Sequence, residues 1–389
     1  MFVCNDITHF LETKSLVVFL KDIADVRQPK GKRHLQLSIL VVMLMAMLCG
    51  KTSLKAIARF AKTHRATLEN YIPLPRGKTP SYSTLQRTSH RLNIEEACEQ
   101  FNQWMAQYQK PENIAVDGKS ITSTVKNPTD SQQKFASLVS FFGQKSQLIY
   151  QIGFLESDKR SEINVAQELI SKMQITKEIF TMDALHCQKG TVEKIINSGN
   201  GYVITVKQNQ PNLHKEIKEK TKMKPLDTYY WNQTGHGHDA RCRIKIWEAD
   251  TQMKNKWKGL QSYISVRRQG IRDGKEFDTT TFYISSEKKS AWSFAQAIRG
   301  HRKIENTLHW TKDVVQNEDN CGLAKPQAAI NMAVIRDISF NLLVMNGFKS
   351  ISQGISAMGD NIKTMWNIVT GKQNSLLNNT LEIDHPIII

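Results

Sequence analysis

Two short apolar runs, each leading into an aspartate, constrain this chain more than any other feature. Ile114-Ala115-Val116 runs into Asp117-Gly118-Lys119, and Ile179 to Met182 runs into Asp183. Strand-like and helix-like stretches alternate between and after them. A polar loop around Asn127-Pro128 follows the first run. Ser137 to Phe142 and Gln147 to Leu155 read as paired strands joined through Gly143. Ser161 to Met173 reads as a capped amphipathic helix with Ile163, Ala166, Leu169, Ile170 and Met173 inward. After Asp183 a helix through Val192, Ile195 and Ile196 stops at Gly199, and Tyr202 to Val206 forms one more strand. The series is β-β-β-α-β-α-β.

That order is the one expected of a ribonuclease-H-like domain. The flanking sequence has a different texture. Up to about residue 110 the pattern is helical: Ser38 can cap the apolar run that ends at Cys49, Ser53 and Ser81 can cap the next helices, and a last helix holds Cys98, Phe101, Trp104 and Met105. Residues 220–288 are β-rich, with Arg241 to Trp247 alternating and a turn at Asp273-Gly274 between Tyr263–Arg267 and Thr279–Ile284. Helices resume near Trp292. The expectation is an α/β protein: a ribonuclease-H-like catalytic core with a β-rich insertion, preceded by an all-helical N-terminal domain. Its divisions are 1–110 (helical, DNA binding), 111–219 (first part of the core), 220–288 (insertion), 289–348 (helical completion of the core) and 349–389 (C-terminal tail).

Charge narrows the partner. Lys and Arg number 53 against 36 Asp and Glu, a net +17, so nucleic acid is the first polyanion to consider. Several short helices with basic outer faces, among them the one with Arg87, His90 and Arg91, fit a helix-turn-helix-like DNA reader, beside the commoner reading of a plain bundle with solvated charges. The apolar run Ile39 to Cys49 falls well short of the roughly 20 residues of a membrane span and reads as a buried helix. The six cysteines contain no C-x-x-C pair, which argues against a zinc ribbon or disulfide scaffold and for a reducing cytoplasm. Met1 to Phe10 shows no secretory pattern.

In a ribonuclease-H-like sheet the strands carrying Asp117 and Asp183 are neighbours, so their carboxylates would meet. Adjacent carboxylates repel, and a hard divalent cation relieves that repulsion. The third acid is Glu305. On an α-helix Glu305, His309 and Lys312 stand at i, i+4 and i+7 and share a face, with His301 and Arg302 flanking it. Plainer readings stand beside this one: a turn at Asp117-Gly118, a helix cap at Asp183, and a surface ion pair between Glu305 and His309. Lys207, Asn209 and Gln210 follow a core strand and fit either DNA-backbone contacts or ordinary loop polarity. Trp310 reads as a packing anchor. His236-x-His238 is too small a set for zinc and reads as solvated or phosphate-facing.

Four stretches carry a resemblance: Ile114 to Lys119; Thr181 to Gln188; Tyr202 to Pro211; and Ile304 to Trp310 with Asp313-Val314 and Glu318-Asp319. Gly31-Lys32-Arg33-His34 and Pro80 to Leu85 add to it, so it spans about residues 25 to 345. In order and spacing these segments resemble the DDE transposases of bacterial insertion sequences, specifically the H-repeat-associated group. The resemblance implies Asp117, Asp183 and Glu305 as a catalytic, metal-binding triad. It implies two Mg²⁺ ions (with Mn²⁺ as a substitute), double-stranded DNA partners in the form of terminal inverted repeats and target, and a homo-oligomer assembled on DNA in the cytoplasm or on the nucleoid, with no membrane. In the superfamily signature Y-x2-R-x3-E-x6-K, Glu305 and Lys312 fit, while Ile298 and His301 stand at the Tyr and Arg positions. Arg299 or Arg302 can supply the missing cation. The expected DNA-contacting residues are Lys119, Lys207, Asn209, Arg299, Arg302, His309 and Lys312. The rival readings are a DNA-binding relic without catalysis and a hydrolytic nuclease that cuts without joining.

Overall fold

The computed structural model describes residues 15–29, 32–124, 136–156, 161–235 and 238–372. The Asn127-Pro128 loop, His236-Gly237, the His238 side chain and residues 373–389 lie outside the described residues.

Among the described residues six α-helices precede the sheet: α1 (Leu16–Asp22), α2 (Gln36–Leu48), α3 (Leu54–Thr63), α4 (Arg65–Leu68), α5 (Tyr82–Arg91) and α6 (Ile94–Ala106). Ser53 and Ser81 cap as the sequence pattern predicts, accepting from the Ala56 and Thr84 N–H groups. Ser38 does not. The apolar helix begins earlier, at Gln36, without a side-chain cap, and Ser38 is buried within it. Nearly every residue of α2 is buried, so the helix can be apolar all round.

The α/β part follows as β1 (Ile114–Ile121), β2 (Ala136–Gly143), β3 (Ile149–Glu156), α7 (Glu162–Lys172), β4 (Ile179–Met182), α8 (Lys189–Asn197) and β5 (Gly201–Val206). Then come α9 (Pro211–Lys220), β6 (Asp227–Gly235), β7 (His238–Glu248), α10 (Thr251–Lys256), β8 (Ser262–Arg272) and β9 (Lys275–Ser285). All nine strands form one sheet in the order β3-β2-β1-β4-β5-β9-β8-β7-β6. The first five have the 3-2-1-4-5 order of a ribonuclease-H-like core. The β-rich segment continues that sheet, because β9 pairs antiparallel with β5 from Val203–Ser285 to Val206–Phe282. Asp273 and Gly274 both have positive φ, 51° and 76°, as a two-residue hairpin turn requires.

After β9 the chain forms α11 (Ala291–Lys303), two π-helical segments (Ile304–His309 and Thr311–Val315), α12 (Pro326–Met345), α13 (Ile351–Met358) and α14 (Ile362–Thr370). The last two fall where the sequence pattern suggests a tail. Ser350 and Asn361 cap them, Gly359 and Gly371 end them, and they bury Met358, Met365 and Val369. α12 is long and apolar enough to cross a membrane, yet it is a core helix: it packs on α2, α5, α6, β2 and β3 and is almost wholly buried. One hydrophobic core runs from Leu16 through the sheet to Val369.

Two asparagines tie this core to the sheet edge. Edge strand β3 would otherwise offer open backbone groups. The Asn102 amide of α6 donates to the Ile152 carbonyl (2.9 Å) and accepts from the Ile152 N–H (2.8 Å). Asn341 of α12 does the same for Ile149, at 2.8 and 2.9 Å. Asn341 is fully buried. Replacing it with Leu keeps the branched shape and orphans both Ile149 groups, so chemical denaturation should show a loss of roughly 2–6 kcal/mol at about 1–3 kcal/mol per orphaned group.

Candidate active site

The parallel ladder between β1 and β4 is short. Ile114 pairs with Phe180, Ala115 with Thr181 and Val116 with Met182, and there it ends. The next residues on the two strands are Asp117 and Asp183. They therefore leave the ladder side by side, on strands spaced roughly 4.8 Å apart. β1 itself does not end at Asp117, contrary to the strand end and turn that the sequence pattern suggests there. It continues to Ile121 along β2, with Asp117 opposite Ser140. Asp183 does leave its strand, and its Oδ1 accepts from the Leu185 N–H at 2.9 Å to cap a short 3₁₀ turn. Asp117 Oδ1 accepts from the Gly118 N–H at 2.9 Å.

Burial pushes the Asp117 carboxyl up to about 7, with the nearby charges of Glu162, Asp183 and Glu305 adding to the rise and the Gly118 N–H opposing it. Four carboxylates thus act on one spot. Glu162 did not stand out in the sequence, because an acid in the first turn of a helix is ordinary. Here it opens α7, and its Oε1 lies 3.1 Å from Nε2 of the fully buried His186.

The cations behave less as the sequence pattern implies. Glu305 is exposed, but its segment is π-helical, as the Trp310 N–H to Glu305 carbonyl bond shows directly at the segment's end, and the next segment closes likewise from the Gln316 N–H to the Thr311 carbonyl at 2.9 Å. With i→i+5 bonds a turn takes more than 3.6 residues, so seven residues no longer complete two turns. Lys312 consequently lies on the other side from Glu305. It is 1% exposed, 2.8 Å from Asp337 and 3.8 Å from Glu318. Burial alone would lower its pKa; Asp337 and Glu318 outweigh that and hold it raised. Lys119 also turns inward, to Asp313 at 2.6 Å and Glu318 at 3.5 Å. Neither lysine is placed to contact DNA.

His309 faces Asp117, with Nδ1 3.7 Å from Oδ2, rather than pairing with Glu305. Burial pushes its pKa down to about 3, and that of His301, whose Nδ1 is 3.0 Å from Thr181 Oγ1, down to about 4. Both rings are neutral at pH 7 and supply no cation for phosphate. The Asn209 amide donates to the Ala184 carbonyl at 2.6 Å and Gln210 to the Cys187 carbonyl at 2.8 Å, so both brace the turn after Asp183. Lys207 and Arg299 are exposed. Arg302 is half-buried and reaches Gln233 Oε1 at 3.3 Å. Lys145, Gln233, Arg299, Arg302, Lys303 and Asn306 line a groove of about 750 Å³ beside the Glu305 segment. Trp310 is 52% exposed, so it is not a packing anchor.

Among the described residues no three His, Cys, Asp or Glu side chains are closed, as placed, into a metal-binding set. The donor chemistry nevertheless fits a hard divalent cation. The donors are carboxylate oxygens, and their mutual repulsion at half-buried Asp117 is what such an ion relieves.

A family model described as Transposase DDE domain matches residues 108–342, and one described as DDE_Tnp_1-associated matches residues 17–105. The chain is 32% identical over 351 residues to YbfL of Escherichia coli K12, covering 86% of this chain and 91% of that protein. It is 31% identical, with the same coverage, to the H repeat-associated candidate transposase YhhI of the same strain. Among solved structures it is similar to the piggyBac transposase synaptic complex with hairpin DNA, at 9% identity and a TM-score of 0.45, covering 96% of this chain and 83% of that one.

Two outcomes follow from these charges. In the folded chain Asp117 keeps its proton up to about pH 7, against 3.8 ordinarily, so between those values the folded state binds more protons and stability falls as pH rises. At about 1.4 kcal/mol per pH unit the ceiling on this loss is about 4 kcal/mol. In chelator, Asp117→Asn should therefore melt higher than the native chain at pH 8, and the gap should close toward pH 4. Lys312→Ala strands Asp337 and Glu318, and equilibrium unfolding should show it destabilised by about 3–5 kcal/mol.

Proposed function

The chain belongs to the DDE transposase family, and from that premise we propose that it binds the terminal inverted repeats of an insertion sequence and catalyses metal-dependent DNA strand cleavage and strand transfer. The observation that carries this reading is the pairing of β1 and β4, which sets Asp117 and Asp183 side by side within the field of Glu305.

Asp117, Asp183 and Glu305 would hold the divalent cations, two Mg²⁺ with Mn²⁺ able to replace them. Bound there, the ions supply Lewis-acid stabilisation of the charge that builds on the reacting phosphodiester. The chain supplies position. The ladder fixes the two aspartates, the π-helical segment carries Glu305 near enough for its charge to act on Asp117, and the neutral His309 lies beside Asp117. In the cleavage step a water oxygen bonds to phosphorus and the 3′-oxygen leaves, taking a proton to become a 3′-hydroxyl. In the transfer step that hydroxyl attacks a target phosphodiester. One P–O bond forms as another breaks, and no bond to the protein is needed.

Exposed cations serve the DNA backbone. Lys207 and Arg299 are exposed, and Arg299 lines the groove beside Asn306 together with the half-buried Arg302. On the insertion, Arg241, Arg243 and Lys245 of β7 alternate with buried Ala240, Cys242, Ile244 and Ile246, so the three basic residues share the solvent face. Paired element ends would be held by more than one copy of the chain.

The test uses a terminal-repeat duplex. Asp117→Asn, Asp183→Asn and Glu305→Gln should each bind it with native affinity and fail to nick it in Mg²⁺ or Mn²⁺, while the native chain nicks it and joins a pre-cleaved 3′ end to target. Nicking by Asp117→Asn would refute the assignment. Nicking without joining by the native chain would make it a nuclease, and binding without nicking a relic.

A further inference from the structure

We infer that Glu162 is a fourth carboxylate of this site, seated by His186 so that it shares a divalent cation with Asp117. The inference rests on the transposase reading of the site and adds a residue to it.

Geometry carries it. The Glu162 side chain does not extend from α7 into solvent. It lies against the β1 backbone beside Asp117, so close that a Cβ on Gly118 would fall 2.4 Å from its carboxyl carbon. Glycine at 118 therefore leaves room for that carboxylate. Glu162 is not spent on capping its own helix, because Ser161 does that, its Oγ accepting from the Asn164 N–H at 3.2 Å. Nor does it lie where a lone acid would settle: both its carboxylate oxygens lie within 3 Å of where a Cβ on Gly118, the residue after Asp117, would stand. Two like charges side by side on a folded surface are unfavourable unless a cation stands between them.

The second observation is His186. It follows Asp183 by three residues, on the same 3₁₀ turn, and is 0% exposed. Its Nδ1 is buried with no hydrogen-bond partner. A proton there would be an orphaned donor, so the proton belongs on Nε2, and the ring donates to Glu162 Oε1 at 3.1 Å. A buried imidazole that fixes one carboxylate oxygen leaves the other to a ligand, the usual arrangement behind a metal-holding group. One turn thus presents Asp183 and, through His186, orients Glu162.

The experiment measures metal binding directly, by electron paramagnetic resonance of Mn²⁺ titrated into the full chain without DNA or turnover. Glu162→Gln should weaken Mn²⁺ binding about tenfold or more and should melt in chelator no lower than the native chain, since a repulsion has been removed. Glu162→Asp keeps the charge and shortens the reach. It should also bind more weakly, whereas native affinity in this variant would show that only the field of the charge matters and would overturn direct ligation. Native affinity in Glu162→Gln would overturn the inference outright. Asp117→Asn separates the two levels. If it loses Mn²⁺ while Glu162→Gln keeps it, only the role of Glu162 falls; if it too binds like the native chain, the site reading falls with it.

Discussion

Three backbone pairs of parallel ladder decide where the chemistry of this chain can happen. β1 is held on its other side by β2 through all eight of its residues, from Ile114 opposite Gly143 to Ile121 opposite Ala136. β4 keeps step with it only from Phe180 to Met182. The two strands part because Asp183 turns its side chain onto the Leu185 N–H and starts a 3₁₀ turn, while pairing with β2 carries β1 on past Gly118. A parting of two parallel strands leaves a notch at their carboxyl ends, the usual place for ligands in open α/β sheets. Here the notch is flanked by acids from both strands and overlooked by two more, Glu162 from α7 and Glu305 from the π-helical segment.

Gathering acids is unfavourable, and the rest of the fold shows how the arrangement is held. Beside the notch lies a second charged layer, mixed in sign, with a buried centre of Lys119, Lys312, Glu318, Arg336 and Asp337 and a half-exposed edge of Asp313 and Asp319. Lys119 joins Asp313, Glu318 and Asp319; Lys312 joins Asp337 and Glu318; Arg336, fully buried, stands 3.9 Å from Glu318 and reaches the Thr52 carbonyl at 3.4 Å. Asp319 also accepts from the Thr122 N–H at 3.0 Å, just past the end of β1. This network ties the second π-helical segment, which directly follows that of Glu305, to β1, to α12 and to the Thr52 carbonyl just before α3. Ion pairs of this kind add little net stability over an apolar core. Their value is geometric, because each partner must sit in one place to avoid an unpaired buried charge, so the segment bearing Glu305 has one register.

Much of the fold was legible because its signals are local. Apolar runs of strand length, Ser at positions 53, 81 and 161, and the Asp273-Gly274 pair each specify an element without reference to distant residues. The order of the core strands followed from the order of those runs. What escaped depends on tertiary context. Asp117-Gly118 resembles a turn, and only the presence of β2 alongside keeps it in a strand. Glu305 to Lys312 has helical periodicity, and nothing local says that it winds as a π-helix. Lys119 and Lys312 are indistinguishable in sequence from solvated lysines, since their partners Asp337 and Glu318 come from other elements. Glu162 was hidden by its position at a helix start.

The inward turn of those lysines changes how the surplus positive charge should be understood. Lys119, Lys312 and Arg336 neutralise buried acids and contribute nothing to an external field, so the outward excess is concentrated elsewhere. Part of it lies on the solvent face of the insertion, where β7 and β8 place Arg243 directly opposite Arg267. Like charges opposite one another on adjacent strands oppose sheet formation. Arg267 is offset by Asp278, its Nε 2.9 Å from Oδ1, and Arg243 also acts on that same carboxylate. Asp239 and Glu276 stand on the same face, so with Asp278 three acids meet Arg241, Arg243, Lys245 and Arg267 and leave a small positive excess. The sheet tolerates the excess because its opposite face is firmly packed on α11 through Ile244, Ile264 and Phe294. The result is a rigid face of mixed charge, basic toward Arg243, Lys245 and Arg267, on a strand ribbon continuous with β5, and through β4 with the notch itself. A polyanion bound there would be held at a fixed distance from Asp117 and Asp183 by backbone hydrogen bonds alone, without a hinge in between.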